Sequence, residues 1–185
     1  MSLSTPRLLL RHWRDTDRDA FAAMSKDAEV MELLGGVMAR AESDAFAARN
    51  AARFAEHGYG FWAIELPGSA GFIGFAGLAP APDKAPFAPA IEIGWRLART
   101  FWGQGYATEA ASAVLEDGFR RLDLAEILAT TTPMNQRSWA VMERLGMSRV
   151  ANGDFDHPNV REGHRLRRHM LYRLSRETWQ EACNG

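Results

Sequence analysis

Cysteine is almost missing from this chain: Cys183, near the C-terminal end, is the only one. No internal disulfide can form, and the expected setting is a reducing, cytoplasmic compartment. Long apolar runs are missing as well. None approaches the roughly 20 residues needed to cross a bilayer, and the opening Met1-Ser2-Leu3-Ser4-Thr5-Pro6 has no basic stretch followed by an apolar one. Neither a membrane partner nor a secretory signal is expected. Lysine occurs only at Lys26 and Lys84, so arginine supplies nearly all the positive charge. The formal net charge of -1 argues against a general polyanion binder, and no nucleic-acid partner is expected. No histidine and acid pair has metal-ligand spacing, so no metal is expected.

What is present describes a globular chain. Apolar residues at 46% and charged residues at 24% are ordinary for a folded domain, and 185 residues suit a single domain over 1–185. Leu8 to Trp13 reads as a first strand. Asp15-Thr16-Asp17 offers N-cap residues to a helix carrying Ala20, Phe21, Ala23 and Met24. Gly35-Gly36 breaks the chain before an alanine-rich helix from about Glu42 to His57, closed by Gly58. Two strands, Gly60–Leu66 and Phe72–Leu78, flank Pro67-Gly68 and predict an antiparallel hairpin. Pro80 to Pro89 is a loop. The next strand puts Ile91, Ile93, Trp95 and Leu97 on one face, and Glu92, Gly94 and Arg96 on the other. Ala107, Ala110, Ala111, Val114, Leu115, Gly118 and Leu122 then follow helical spacing. A β-branched strand, Ile127–Thr132, ends at Pro133. A helix from Ser138 closes at Gly146, and a last strand, Leu166–Leu174, precedes a terminal helix near Thr178. The order is mixed strands, then strand–helix–strand–helix–strand, an α+β arrangement around one sheet.

The segment richest in chemistry is Trp102-Gly103-Gln104-Gly105-Tyr106-Ala107-Thr108-Glu109-Ala110. Two glycines lie between a strand and a helix, where successive N–H groups can cradle an anion such as a pyrophosphate. A Walker A loop would need a lysine that is not there. A dinucleotide fingerprint would need a third glycine where Thr108 stands, and would belong in a first βαβ unit. A bare glycine turn into a tightly packed helix is the plain alternative.

This segment resembles the acetyl-CoA loop of the GCN5-related N-acetyltransferases, the GNAT family, in the branch that includes the ribosomal-protein N-terminal (RimJ/RimL-type) enzymes. The family's Gln/Arg-x-x-Gly-x-Gly/Ala maps onto Trp102-x-x-Gly105-x-Ala107, with a departure at Trp102. Thr5-Pro6-Arg7-Leu8-x-Leu10-Arg11 resembles the branch's opening strand, and Glu92-Ile93-Gly94-Trp95 its fourth. Asn135-x-x-Ser138 with Leu145-Gly146-Met147 resembles its coenzyme-contacting helix, and Tyr172 the tyrosine of its closing strand. The resemblance runs over residues 5 to 180. It implies a central, mixed but mostly antiparallel twisted sheet of about seven strands flanked by helices.

It also implies acetyl-CoA as co-substrate and an amine as acceptor. Trp102, Gly103, Gln104, Gly105, Tyr106, Ala107 and Thr108 would hold the diphosphate. The backbone of Gly94, Trp95, Arg96 and Leu97 would pair with pantetheine, where two strands splay apart. Asn135 can donate and accept at once and suits the pantetheine amides, or is a turn residue after Pro133. Ser138 caps its helix, protonates the departing thiolate, or does both. The tyrosine that many members carry falls at Met142, which favours Ser138.

The general base stays open among Glu92, Asp156, His157 and a water chain. Many members carry a glutamate in the fifth strand, where this chain has Thr130. His12, His57, His164 and His169 read as structural or exposed. With Cys183 the sole thiol, direct transfer in a ternary complex is expected rather than an acyl-enzyme. A non-catalytic coenzyme-A sensor of the same fold, and a nicotinamide-dependent oxidoreductase, are the competing classes. The acceptor is expected to meet the Asp27–Asn50 region and the Asp154–Arg165 loop, and the protein to be a monomer or homodimer.

Overall fold

A computed structural model describes residues 1–184. They divide into two compact units: Met1–Ala79 with Gly94–Val114, and Pro80–Ile93 with the chain from Leu115 onward.

The first unit holds β1 (Ser2–Ser4), β2 (Leu9–Arg11), α1 (Asp17–Lys26), α2 (Ala28–Met31), α3 (Arg40–His57), β3 (Phe61–Leu66) and β4 (Ala70–Pro80). It also takes the second half of β5 (Ile91–Leu97) and the start of α4 (Tyr106–Arg120). Strands β1 to β4 follow one another as antiparallel neighbours. The β3–β4 hairpin turns at Pro67-Gly68, where Gly68 takes a φ of 76°. Phe21 and Met24 of α1, Val30 and Met31 of α2 and Phe75 of β4 form the buried cluster, with Trp13, Phe46, Phe61 and Phe72 packed against it. Helix α3 ends where expected, on Gly58 in the left-handed region.

Helix α1 starts where expected but is not capped as expected. Thr16 stands at the N-cap with no side-chain bond. Asp17 instead turns inward, taking the Arg11 guanidinium through two bonds of 2.7 and 2.9 Å and the Arg14 amide at 2.7 Å. A buried guanidinium needs an anion more than a helix end needs a cap.

The second unit holds the first residues of β5, the end of α4, β6 (Glu126–Thr131), α5 (Gln136–Arg144), β7 (Ser148–Arg149), β8 (Phe155–Asp156), β9 (Arg168–Ser175) and α6 (Arg176–Asn184). Strand β6 lies parallel to β5 through a single register pair, Glu92↔Leu128. It is antiparallel to β9 along its whole length, and β7 and β8 also pair antiparallel with β9. Ile127, Leu128 and Ala129 are buried, as are Val141 and Met142 of α5 and Tyr172 and Leu174 of β9.

The strands are mixed in direction but mostly antiparallel, with helices packed on them, as the resemblance implies. They number nine among the described residues. Six of them are the strands read from the sequence; the other three, β1, β7 and β8, have two or three residues each, too short to leave an alternating pattern. Helix α4 stops at Arg120, so Leu122 lies beyond it.

Candidate active site

In the first unit the chain leaves β5, passes through a 3-10 turn at Arg99–Phe101 and reaches the glycine loop. Gly103 and Gly105 both adopt left-handed conformations, with φ of 73° and 82°, which favour glycine. The Gly105 carbonyl accepts from the Glu109 amide at 3.0 Å, so Gly105 stands at the cap of α4. The amides of Tyr106, Ala107 and Thr108 then have no acceptor within the helix. Among the described residues no backbone carbonyl accepts from the amides of Gly103, Gln104 or Gly105. A Cβ on Gly103 would meet nothing within 4 Å, so this side of the loop is open. Successive free amides at the positive end of a helix fit a diphosphate.

The loop is fastened from the other end of the sequence. The Arg7 guanidinium donates to the Gln104 carbonyl at 2.9 Å and pairs with Glu109 at 2.6 Å. It also lies over the Tyr106 ring, 4.6 Å from its centre. The Glu109 carboxylate accepts from the Arg7 amide at 2.9 Å and from the Thr5 hydroxyl at 2.6 Å. Burial would raise the Glu109 pKa, but these bonds outweigh it and hold the group below its ordinary range. Trp102 faces away from this role in part. Its indole N–H donates to the Leu97 carbonyl at 2.9 Å, and its amide to the Arg99 carbonyl at 3.1 Å. The Leu97 carbonyl is thereby already engaged.

The second unit carries Glu92, Asn135 and Ser138. Burial pushes the Glu92 carboxyl up to about 7, opposed by its bond with Thr130. The Thr130 hydroxyl reaches Glu92 Oε2 at 3.5 Å, while Oε1 is buried with no partner among the described residues. Such a carboxyl can take a proton near neutral pH. Asn135 is the N-cap of α5: its Oδ1 accepts from the Ser138 amide at 3.3 Å. The cap expected of Ser138 is therefore supplied three residues earlier, because an asparagine side chain reaches the amide at the third helical position. Asn135 keeps its amide NH2 for another partner, and the half-buried Ser138 hydroxyl is relieved of capping.

Also in the second unit, Asp156 pairs with Arg167 at 3.2 Å and Arg168 at 3.5 Å. His157 lies 4.7 Å from His169, ring centre to ring centre, and both rings neighbour Phe155. Burial lowers the pKa of both histidines, and in His157 the facing His169 adds to it. The Tyr172 hydroxyl donates to Glu143 at 3.4 Å.

Residues 7–148 match the acetyltransferase (GNAT) domain. The chain belongs to the GNAT family. It is 32% identical to the uncharacterised N-acetyltransferase YnaD of Bacillus subtilis over 150 residues, covering 80% of this chain and 84% of that protein. With the FsC-acetyl coenzyme A-N(2)-transacetylase of Aspergillus fumigatus it is 30% identical over 190 residues, covering 96% of this chain and 77% of that protein. Among solved structures, a GNAT acetyltransferase from Bacillus anthracis aligns with a TM-score of 0.78 at 28% identity, over 96% of this chain and 99% of that one. RimL, a ribosomal-protein alpha-N-acetyltransferase solved with coenzyme A, shares the fold with a TM-score of 0.76 at 19% identity, over 95% of this chain and 98% of that one.

The chain is thus an N-acetyltransferase of a family that uses acetyl-CoA. Two contacts around these candidate residues lay outside the reach of sequence reasoning. The Arg7–Glu109 clamp joins residues 102 apart, and no local pattern announces it. Position 130 holds threonine where many members of the family carry a glutamate. The fold instead brings the Glu92 carboxyl to Thr130 from the parallel strand. No helix among the described residues is long and apolar enough to cross a membrane.

Proposed function

We propose that this enzyme moves an acetyl group from acetyl-CoA to a primary amine, on a small molecule or a protein N-terminus, by direct transfer in a ternary complex. The observation that carries the reading is the row of free amides from Gly103 to Thr108 at the head of α4, on two left-handed glycines. These amides would hold the coenzyme's diphosphate. Backbone groups of β5 from Gly94 onward would align its pantetheine, beyond the pair that β5 makes with β6 at Glu92↔Leu128. The free NH2 of Asn135 would donate to a pantetheine carbonyl. Because the match to the GNAT domain spans both compact units, we read 1–185 as one catalytic domain.

Acetyl-CoA supplies an activated carbonyl, and the protein supplies proton management. Glu92 takes a proton from the acceptor's ammonium, directly or through water. The free amine nitrogen then bonds to the thioester carbon, the carbon–sulfur bond breaks, and the nitrogen's surplus proton passes through the Ser138 hydroxyl to the departing thiolate, leaving the serine protonated. His157 is the alternative base, since burial and the facing His169 favour its neutral ring. Asp156, held by two arginines, is better suited to shaping the acceptor loop. Cys183 is exposed on the terminal helix, and direct transfer needs no thiol from it.

The test is free-thiol release from acetyl-CoA with a panel of primary amines, beside coenzyme A binding measured by calorimetry. The reading predicts saturable binding and amine-dependent thiol release above hydrolysis. Binding without release would indicate a sensor, and absence of binding would remove the reading altogether.

A further inference from the structure

Two arginines of the first unit lie among buried groups, and their surroundings differ sharply. Arg11 has Asp17, Glu65 and the carbonyls of His12 and Gly71 around it. These partners hold its pKa above the ordinary value. Arg96 has no carboxylate within ion-pair distance among the described residues. Its Nε is fully buried with no partner among the described residues. Its Nη1 meets only the Met38 sulfur, at 3.7 Å, and its charge lies over the Phe75 ring, 5.2 Å from the centre. A thioether and a ring face are weak substitutes for the water a guanidinium gives up. Burial accordingly pushes the Arg96 pKa down to about 10, with nothing opposing it.

Met38 reaches Arg96 from a segment that follows two left-handed glycines. Met38 is tied by its amide to the Ser25 carbonyl at 2.9 Å, and the Ser25 hydroxyl is itself buried without a partner among the described residues. Just before Met38 stand Gly35 and Gly36, both left-handed and with open space around them, and the exposed apolar side chains Leu34 and Val37. Arg96 also shares its face of β5 with Glu92, two alternations away.

We propose that Arg96 is an acceptor-binding residue, and that the amine acetylated by this enzyme carries a carboxylate, received by the Arg96 guanidinium beneath the Met38 segment. The inference rests on the acetyl-transfer reading and narrows its acceptor class. A carboxylate would take Nε and one terminal nitrogen in the paired geometry that arginine offers. It would replace the sulfur contact, and Leu34 and Val37 would close over the remainder of the acceptor.

The experiment compares wild type, Arg96→Met and Arg96→Lys, as full-length protein. The probes are glycine, β-alanine and 4-aminobutyrate, each beside its amide, and a short peptide beginning with aspartate beside its asparagine counterpart. Thermal unfolding is followed with and without coenzyme A, and thiol release is followed with acetyl-CoA. The expected result is that at least one acid stabilises wild type, or is acetylated, about tenfold better than its amide. Arg96→Met should lose that preference and respond to acid and amide alike, while Arg96→Lys keeps part of it. Preference among the amino acids points to a small acceptor, and preference for the aspartyl peptide to a protein end.

Ligand-free Arg96→Met should melt no lower than wild type, because an uncompensated buried charge has been removed. Its coenzyme A shift should be intact. Equal response to acids and amides in wild type overturns the proposal. So does a large fall in the melting temperature of Arg96→Met, which would mark a structural arginine, or loss of its coenzyme A shift, which would assign the residue to the coenzyme. If wild type shows no coenzyme A shift, the acetyl-transfer reading fails, and the acid–amide comparison without coenzyme still decides whether Arg96 binds carboxylates.

Discussion

Replacing Glu92 with glutamine should have little effect on stability at pH 5 and should stabilise the protein at pH 8. Burial raises the carboxyl from 4.5 to about 7, so the folded state holds the proton more tightly than the unfolded chain does. Between those two values the folded protein binds more protons, and stability falls as pH rises. The contribution is fully present below the unfolded pKa and is lost as pH climbs through the folded one. The difference corresponds to about 3 kcal/mol by pH 8, with under about 1 kcal/mol already felt at pH 5. Glutamine has nearly the same shape and no charge to desolvate, so its stability should lack this slope. Any fixed cost of placing an amide beside Thr130 and in the unpartnered Oε1 position would shift all pH values alike. Urea denaturation of both proteins at pH 5, 6, 7 and 8 reads the effect directly. The gap between variant and wild type should widen by about 2 kcal/mol or more from pH 5 to pH 8 in favour of glutamine. A gap that is flat, or that widens toward acid, would refute the reasoning. If Glu92 is also the base, the kcat/KM of wild type rises with pH through about 7, and the glutamine variant loses that limb along with most of its rate.

Three further outcomes follow from contacts in the fold. Asp17→Ala leaves the Arg11 guanidinium, which is 5% exposed, with Glu65 as its remaining carboxylate, and should cost about 2 to 3 kcal/mol in urea denaturation. Asn135→Ala removes the cap of α5 and should cost about 1 kcal/mol of stability; Asn135→Asp, which keeps the capping oxygen but not the NH2, should spare stability and still weaken coenzyme A binding in calorimetry. Glu109→Ala releases Arg7 from the glycine loop, so the KM for acetyl-CoA should rise by about tenfold while melting temperature moves by only a few degrees.

Elements whose signals are local were legible in the sequence. Gly58 closing α3, Pro67-Gly68 turning the hairpin and Gly146 ending α5 each follow from one residue's conformational freedom. The glycine loop could be read because both its glycines and the helix after it are contiguous. What could not be read depends on partners far along the chain or on competition between them. Asp17 has every attribute of an N-terminal cap, yet a buried arginine outbids the helix for it. Ser138 and Asn135 both suit a cap, and only the start of α5 at Gln136 decides between them. The environment of Glu92 depends on the register that brings Thr130 beside it. The isolation of Arg96 depends on which acids fail to reach it, and composition is silent on that.

The central claim is that the backbone amides of residues 103 to 108 hold the diphosphate of coenzyme A at the head of α4. A crystal structure with bound coenzyme A measures this directly. Diphosphate oxygens within hydrogen-bonding distance of several of those amides, with Gly103 and Gly105 still left-handed, is the predicted result. A coenzyme whose diphosphate is held elsewhere, with these amides facing only solvent, would contradict it.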